Sequence, residues 1–148
     1  MNGRVIDGTG NPWFRADIGL KGDRIAKIGR IDPRDAEQVI DASRRIVSPG
    51  FIDAHSHSDF TLISDPRCES AIMQGITTMV VGQCGMSLAP VNPKFEELLR
   101  RFLSPFLAKP QIKFVWRTFR QYLTRLTGLK LTCNTVHFVG HGTVRIAA

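Results

Sequence analysis

Residues 49 to 59 read PGFIDAHSHSD, with His55 and His57 one residue apart and an aspartate, Asp53 or Asp59, on either side. In an extended strand side chains alternate between the two faces, so these four ionisable groups are expected to project from one side. Two imidazoles at i and i+2 can bind one metal ion side by side. A lone H-x-H also occurs where each histidine is merely hydrogen-bonded, so its position has to decide. Cys84, in GQCG at residues 82 to 85, adds a thiol. A free cysteine is often just a small buried hydrophobe. Flanked by Gly82 and Gly85, where backbones can approach closely and neighbours are few, this one reads better as a ligand. Imidazole and thiolate together suit zinc or a similar borderline-soft divalent ion.

The elements that would carry these groups follow from periodicity and punctuation. Residues 3 to 47 read as short strands and tight turns, broken at Asp7-Gly8, Gly10-Asn11-Pro12, Gly22-Asp23 and Ser48-Pro49-Gly50. Gly3 to Ile6 reads as the end of a strand. After Gly50 the pattern changes. A strand is expected over 51–57, then a helix with Asp65 as N-cap, Pro66 in its first turn and Gly75 just past its end. Cys68, Ala71 and Ile72 would form its apolar stripe. The β-branched run ITTMVVG at 76–82 reads as a buried parallel strand. Asn92 and Pro93 open a helix with a stripe of Phe95, Leu98, Leu99 and Phe102. Breaks at Ser104-Pro105 and Lys109-Pro110 lead into a second helix, with Trp116, Phe119, Tyr122, Leu123 and Leu126 on one face and Gly128 as its stop. A third strand is centred on 135–139 and ends at Gly140-His141-Gly142.

Strands alternating with helices predict an α/β fold with parallel strands, whose site lies beyond the C-terminal strand ends. His55, His57, Cys84 and His141 all fall there. His141 suits a ligand, a supporting partner or a turn, and is not assigned as a ligand. His137 lies mid-strand, where a hydrogen-bonded core or interface role fits, and Cys133 precedes that strand. Cys68 is read as a helix core residue.

Composition excludes several classes. No apolar run approaches 18 residues and the N-terminus lacks a charged-then-apolar signal pattern, so neither a membrane span nor export is expected, and the cytoplasm is the default. Three cysteines without C-x-x-C spacing argue for reduced thiols. The net charge of +7 is confined to residues 94 to 130, which hold nine basic side chains against Glu96 and Glu97. Aromatic residues at core spacing among them favour a solvated outer face over a nucleic-acid surface.

PGFIDAHSHSD at 49–59 resembles the amidohydrolase superfamily, and QGITTMVVGQCGMSLAP at 74–90 resembles its N-acyl-D-amino-acid deacylase (D-aminoacylase) members. RVIDGTGNPWFRADIGLKGDRIAKIG at 4–29 and VHFVGHGTVR at 136–145 resemble them too. The resemblance implies a partial (β/α)8 TIM barrel over 50–148, about its first three β/α units, preceded over 1–49 by part of a small β-sandwich. It implies His55, His57 and Cys84 as metal ligands for one or two zinc ions, with Cys84 and two later histidines holding the zinc that activates water and the His55/His57 pair at an adjacent, weaker metal position. It also implies hydrolysis of the linear amide of an N-acyl-D-amino acid. The partner it implies is that small-molecule substrate, with no nucleic acid and no membrane; oligomeric state is left open. A complete barrel needs roughly 250 residues, and the family's later histidines and its aspartate acid-base have no counterpart here. The chain is therefore expected to be an N-terminal piece with no catalytic residue of its own, inactive and marginally stable alone. Two alternatives stay open: a hydantoinase-like or dihydropyrimidinase-like cyclic amidase, and a non-catalytic basic binding module.

Overall fold

The computed structural model describes residues 1–107 and 112–148, so the expected break at Lys109-Pro110 lies outside the described residues. They divide into two compact units, Met1–Pro49 and Gly50–Ala148.

In the first unit β1 (Gly3–Val5), β2 (Phe14–Lys21), β3 (Arg24–Gly29) and β4 (Ile46–Val47) form one sheet in the order β3-β2-β1-β4. β2 and β3 make a hairpin through Gly22-Asp23, and β1 pairs antiparallel with β2 and parallel with β4. Asp7 carries the turn after β1: its Oδ1 accepts from the Thr9 N–H at 3.0 Å and the Thr9 hydroxyl at 2.7 Å. The short carboxylate thus supplies the acceptors that the turning backbone lacks.

The second unit is built on three parallel strands, β5 (Phe51–Asp53), β6 (Ile76–Val81) and β7 (Asn134–His137), in that spatial order. Parallel neighbours require crossovers, and α1 (Glu69–Ile72), α2 (Glu96–Leu103) and α3 (Phe119–Thr127) lie in those connections. Met79 and Val81 on β6 are buried in one core with Phe60, Leu88, Leu99, Leu103, Trp116 and Tyr122. The alternate residues Ile52 and Val136 remain 67% and 48% exposed, so among the described residues helices and loops cover one face of this sheet. The chain is thus a mixed α/β structure.

Several boundaries differ from expectation. The strand over 51–57 stops at Asp53, because Asp53 opposite Met79 is its last paired residue. Asp53, His55, His57 and Asp59 therefore do not share a strand face. The helix expected from Asp65 begins only at Glu69, since Cys68 takes a left-handed conformation at its N-terminus (φ 50°). Cys68 is nonetheless buried in the core, as is Cys133. Burial, with the Cys133 thiol beside it, pushes the Cys68 thiol up to about 12. Asn92 caps a 3-10 turn, Pro93–Phe95, which runs into α2. Of the predicted α2 stripe only Leu99 is buried, joined by Leu103, while Leu98 and Phe102 face outward.

Trp116 precedes α3 rather than lying on it, and is held by its indole N–H donating to the Leu88 carbonyl at 2.7 Å. Thr118 starts α3 with a capping box: its hydroxyl accepts from the Gln121 N–H, and the Gln121 amide oxygen accepts from the Thr118 N–H. Such a cap contributes about 1 kcal/mol. The third strand ends at His137, two residues early, and Gly140 opens an unforeseen helix, α4 (His141–Ala147). The basic face is not wholly solvated. Glu96 accepts from Arg100 at 2.9 Å and Arg117 at 3.3 Å, and the half-buried Arg100 guanidinium lies 4.5 Å over the Phe114 ring.

Candidate functional site

The site forms where β5 and β6 run out side by side. Past Asp53 the chain stays against β6, with the Ser56 N–H donating to the Val80 carbonyl at 3.0 Å. Asp53 Oδ1 accepts from the His55 N–H at 3.1 Å, turning the backbone so that His55 leaves the strand at its rim. Past Val81, Gly82 takes φ +82° and Cys84 φ +53°. Left-handed geometry at a residue bearing a side chain costs on the order of 1–3 kcal/mol and survives only where neighbours fix it. Here it brings the thiol beside His55.

The result is a cluster. His55 Nε2 lies 3.3 Å from Cys84 Sγ, and one ligand atom each from His55, His57 and Cys84 falls within 4.8 Å of the others. His55 and Cys84 are exposed and His57 is half-buried. The His57 ring stacks on Phe106 (centroids 4.6 Å) and Phe60 (6.1 Å), which fixes its plane. Buried His57 Nδ1 has no hydrogen-bond partner among the described residues. Two imidazoles and a thiol at these separations suit a metal held at about 2.0–2.3 Å from each donor, after a small closure of the widest pair.

The structure does not bring the remaining candidates into this cluster. Asp59 sits in a 3-10 turn, Ser58–Phe60, and is buried, with Oδ1 unpartnered among the described residues. Burial pushes its carboxyl up to about 7. Together with burial, its charge also drives the Tyr122 phenol upward. His137, at the end of β7, points to the same buried side: its ring meets Tyr122 edge-on at 5.6 Å, and its Nε2 shares a hydrogen with Thr135 Oγ1 at 2.9 Å. Desolvation holds it down at about 4. His141 is the exposed first residue of α4.

Sequence reasoning overlooked Gln83. Its side-chain amide donates to the Ala54 carbonyl at 3.1 Å and reaches the Val80 carbonyl at 3.4 Å, tying the Cys84 loop to the segment that carries His55. A long polar side chain next to the cysteine, in an otherwise small and apolar run, was the available signal.

Donor side chains gathered beyond the C-terminal ends of adjacent parallel strands place this chain among α/β proteins with a strand-end site. The family model described as "Amidohydrolase family" matches residues 38–146, and the chain belongs to that family. An N-acyl-D-glutamate deacylase and a D-aminoacylase, both from Alcaligenes xylosoxydans xylosoxydans, are 39% and 38% identical to it over 99% and 98% of its length, covering 29% of each relative. Among solved structures, a D-aminoacylase studied for its binuclear metal center superposes with a TM-score of 0.83 at 39% identity, over 99% of this chain and 30% of the other. An N-acyl-D-glutamate deacylase from Bordetella bronchiseptica, complexed with zinc and a phosphonate mimic of the tetrahedral intermediate, superposes with a TM-score of 0.82 at 36% identity, over the same shares. The chain thus spans about 30% of the length of the relatives it matches.

Proposed function

We propose that this chain forms the first part of a zinc-dependent amidohydrolase that cleaves the linear amide of N-acyl-D-amino acids, with His55, His57 and Cys84 as metal ligands. The observation that carries this reading is the meeting of Cys84 with two strand-end imidazoles, their ligand atoms within 4.8 Å. The deacylase relatives at 38–39% identity supply the substrate class. On this reading β5, β6 and β7 are the opening strands of a (β/α)8 barrel, and Met1–Pro49 is part of a small β-sandwich. Three free cysteines support a reducing, cytoplasmic setting. Arg100 and Arg117 are engaged by Glu96, which favours a packing role for the basic helices over a nucleic-acid surface.

A zinc ion held here would polarise the amide carbonyl and bring the pKa of a water toward about 7. What the chain itself contributes is orientation. The Phe60 and Phe106 rings keep His57 from rotating, Asp53 fixes the backbone entering His55, and Gln83 holds the Cys84 loop at its distance from both.

The test is a chimera in which residues 1–148 replace the matching part of a D-aminoacylase, assayed for release of D-amino acid from N-acetyl-D-amino acids. A folded chimera should show zinc-dependent release, lost with Cys84→Ala and changed with His55→Ala. Release undiminished by both changes would refute the ligand assignment, and a folded chimera that binds zinc but releases nothing would refute the substrate class.

A further inference from the structure

Beyond the three donors, a buried knot of hydrogen bonds joins residues far apart in sequence. Thr143 Oγ1 donates to the Ser87 carbonyl at 2.9 Å and accepts from the Ser87 N–H at 3.0 Å. Ser87 Oγ in turn accepts from the Gly140 N–H at 2.9 Å and donates to the Ala89 carbonyl at 2.7 Å. Two more bonds complete it: the Gly142 and Thr143 N–H groups both donate to the Gly85 carbonyl, at 2.8 and 3.3 Å. Ser87 and Thr143 are 2% and 0% exposed, so each lost bond would leave a buried polar group unpaired. Contact is tight as well: a Cβ on Gly140 would fall 2.5 Å from the Gly85 oxygen and 2.6 Å from the Met86 carbonyl carbon.

The knot grips the backbone immediately after Cys84. Cys84 itself is exposed and left-handed, a conformation that its own side chain disfavours. Gln83 holds the loop on its entry side, and the bonds to Gly85 and Ser87 hold it on its exit side. The geometry points to Ser87 and Thr143 as positioning residues that aim the Cys84 thiol at His55 and His57 and thereby set the affinity of the metal centre. This inference rests on Cys84 being a ligand. Groups that orient ligands typically change metal affinity by roughly 10–100-fold when removed.

The experiment is a titration of the 148-residue chain with Co²⁺, reading the dissociation constant and the thiolate-to-cobalt charge-transfer band, alongside far-ultraviolet circular dichroism. Thr143→Val keeps the side chain's shape but removes its hydroxyl. It is expected to weaken binding by about 10–100-fold and to diminish the band at saturating cobalt, with Thr143→Ser restoring both. Gly140→Ala keeps every donor and acceptor while pushing on Gly85 and Met86, and is expected to act in the same direction. If a folded Thr143→Val matches the parent in both readouts, or if it fails to fold and Gly140→Ala matches the parent, the knot is packing alone and the inference is overturned. A parent chain that never shows the thiolate band overturns the ligand reading instead, which keeps the two failures distinct.

Discussion

Half-buried His137 and buried Asp59, near the C-terminal strand ends, make opposite demands. His137 is held down at about 4 by desolvation, whereas an unfolded histidine titrates near 6.5. Above pH 6.5 both states are neutral and this stabilisation is fully present. As pH falls from 6.5 toward 4 the unfolded chain takes up a proton that the folded chain refuses, so stability is lost across that window. Asp59 runs the other way: its carboxyl, pushed up to about 7, keeps a proton that the unfolded chain has released from about pH 4 upward. Stability from that group declines as pH rises to 7. Because the two partly offset in the parent, the variant is the informative measurement. His137→Gln should remove the acid-side loss, so that the unfolding free energy of the parent relative to the variant drops by about 1–3 kcal/mol between pH 6.5 and 4 and is flat above 6.5. A constant difference across that range would contradict it.

Tyr122 carries a prediction of its own. Its hydroxyl is buried without a partner among the described residues, while its ring packs against Trp116 at 5.2 Å and His137 at 5.6 Å. An unpaired buried hydroxyl costs about 1–3 kcal/mol, so Tyr122→Phe should leave thermal stability unchanged or raise it. A fall of several degrees in Tm would mean that the phenol has a buried water or other partner.

At the scale of elements, the site depends on how β6 turns. Gly82 ends the strand with φ +82°, and its α-carbon faces the Phe138 backbone so closely that an added Cβ would collide with the Phe138 carbonyl. Gly82→Ala therefore combines a backbone penalty with a steric one at the point where the β6 and β7 ends meet. It is expected to destabilise the chain by about 2–4 kcal/mol, read by urea denaturation, and to weaken cobalt binding. A variant as stable as the parent would show that the β7 end yields without cost.

Much at this scale was legible in advance. Ile76–Val81 announced itself by its β-branched residues and the helical patterns on either side, and Cys84 by its place after them. The end of β5 was not legible, because the alternation in FIDAHSHSD runs on past Asp53, the last residue in strand register with β6. The buried stripe of α2 is offset by one residue from its sequence reading, since Leu99 and Leu103 are buried while Leu98 and Phe102 face outward. The Ser87–Thr143 knot was invisible because it links short polar residues 56 positions apart, and no local pattern encodes such a pairing.

At the scale of the whole molecule, the chain matches relatives more than three times its length at TM-scores above 0.8. In the second unit Ile52 and Val136 on the sheet, and Phe138 just past it, are 67%, 48% and 54% exposed, and among the described residues the outer strands β5 and β7 each pair on one side. Open edges and bare apolar faces recruit further strands. The isolated 148-residue chain is expected to bind an apolar fluorescent probe such as ANS and to self-associate as its concentration rises. Ile52→Lys should reduce both. A strictly monomeric chain that ignores the probe would mean that this face is covered in solution.

The central claim is that two imidazoles and one thiolate share a single ion. Zinc-edge X-ray absorption on the zinc-loaded chain tests it most directly. One sulfur at about 2.3 Å and two imidazole nitrogens at about 2.0 Å are predicted, with the sulfur absent from Cys84→Ser. A shell of nitrogen and oxygen alone around zinc bound to the intact chain would contradict the account.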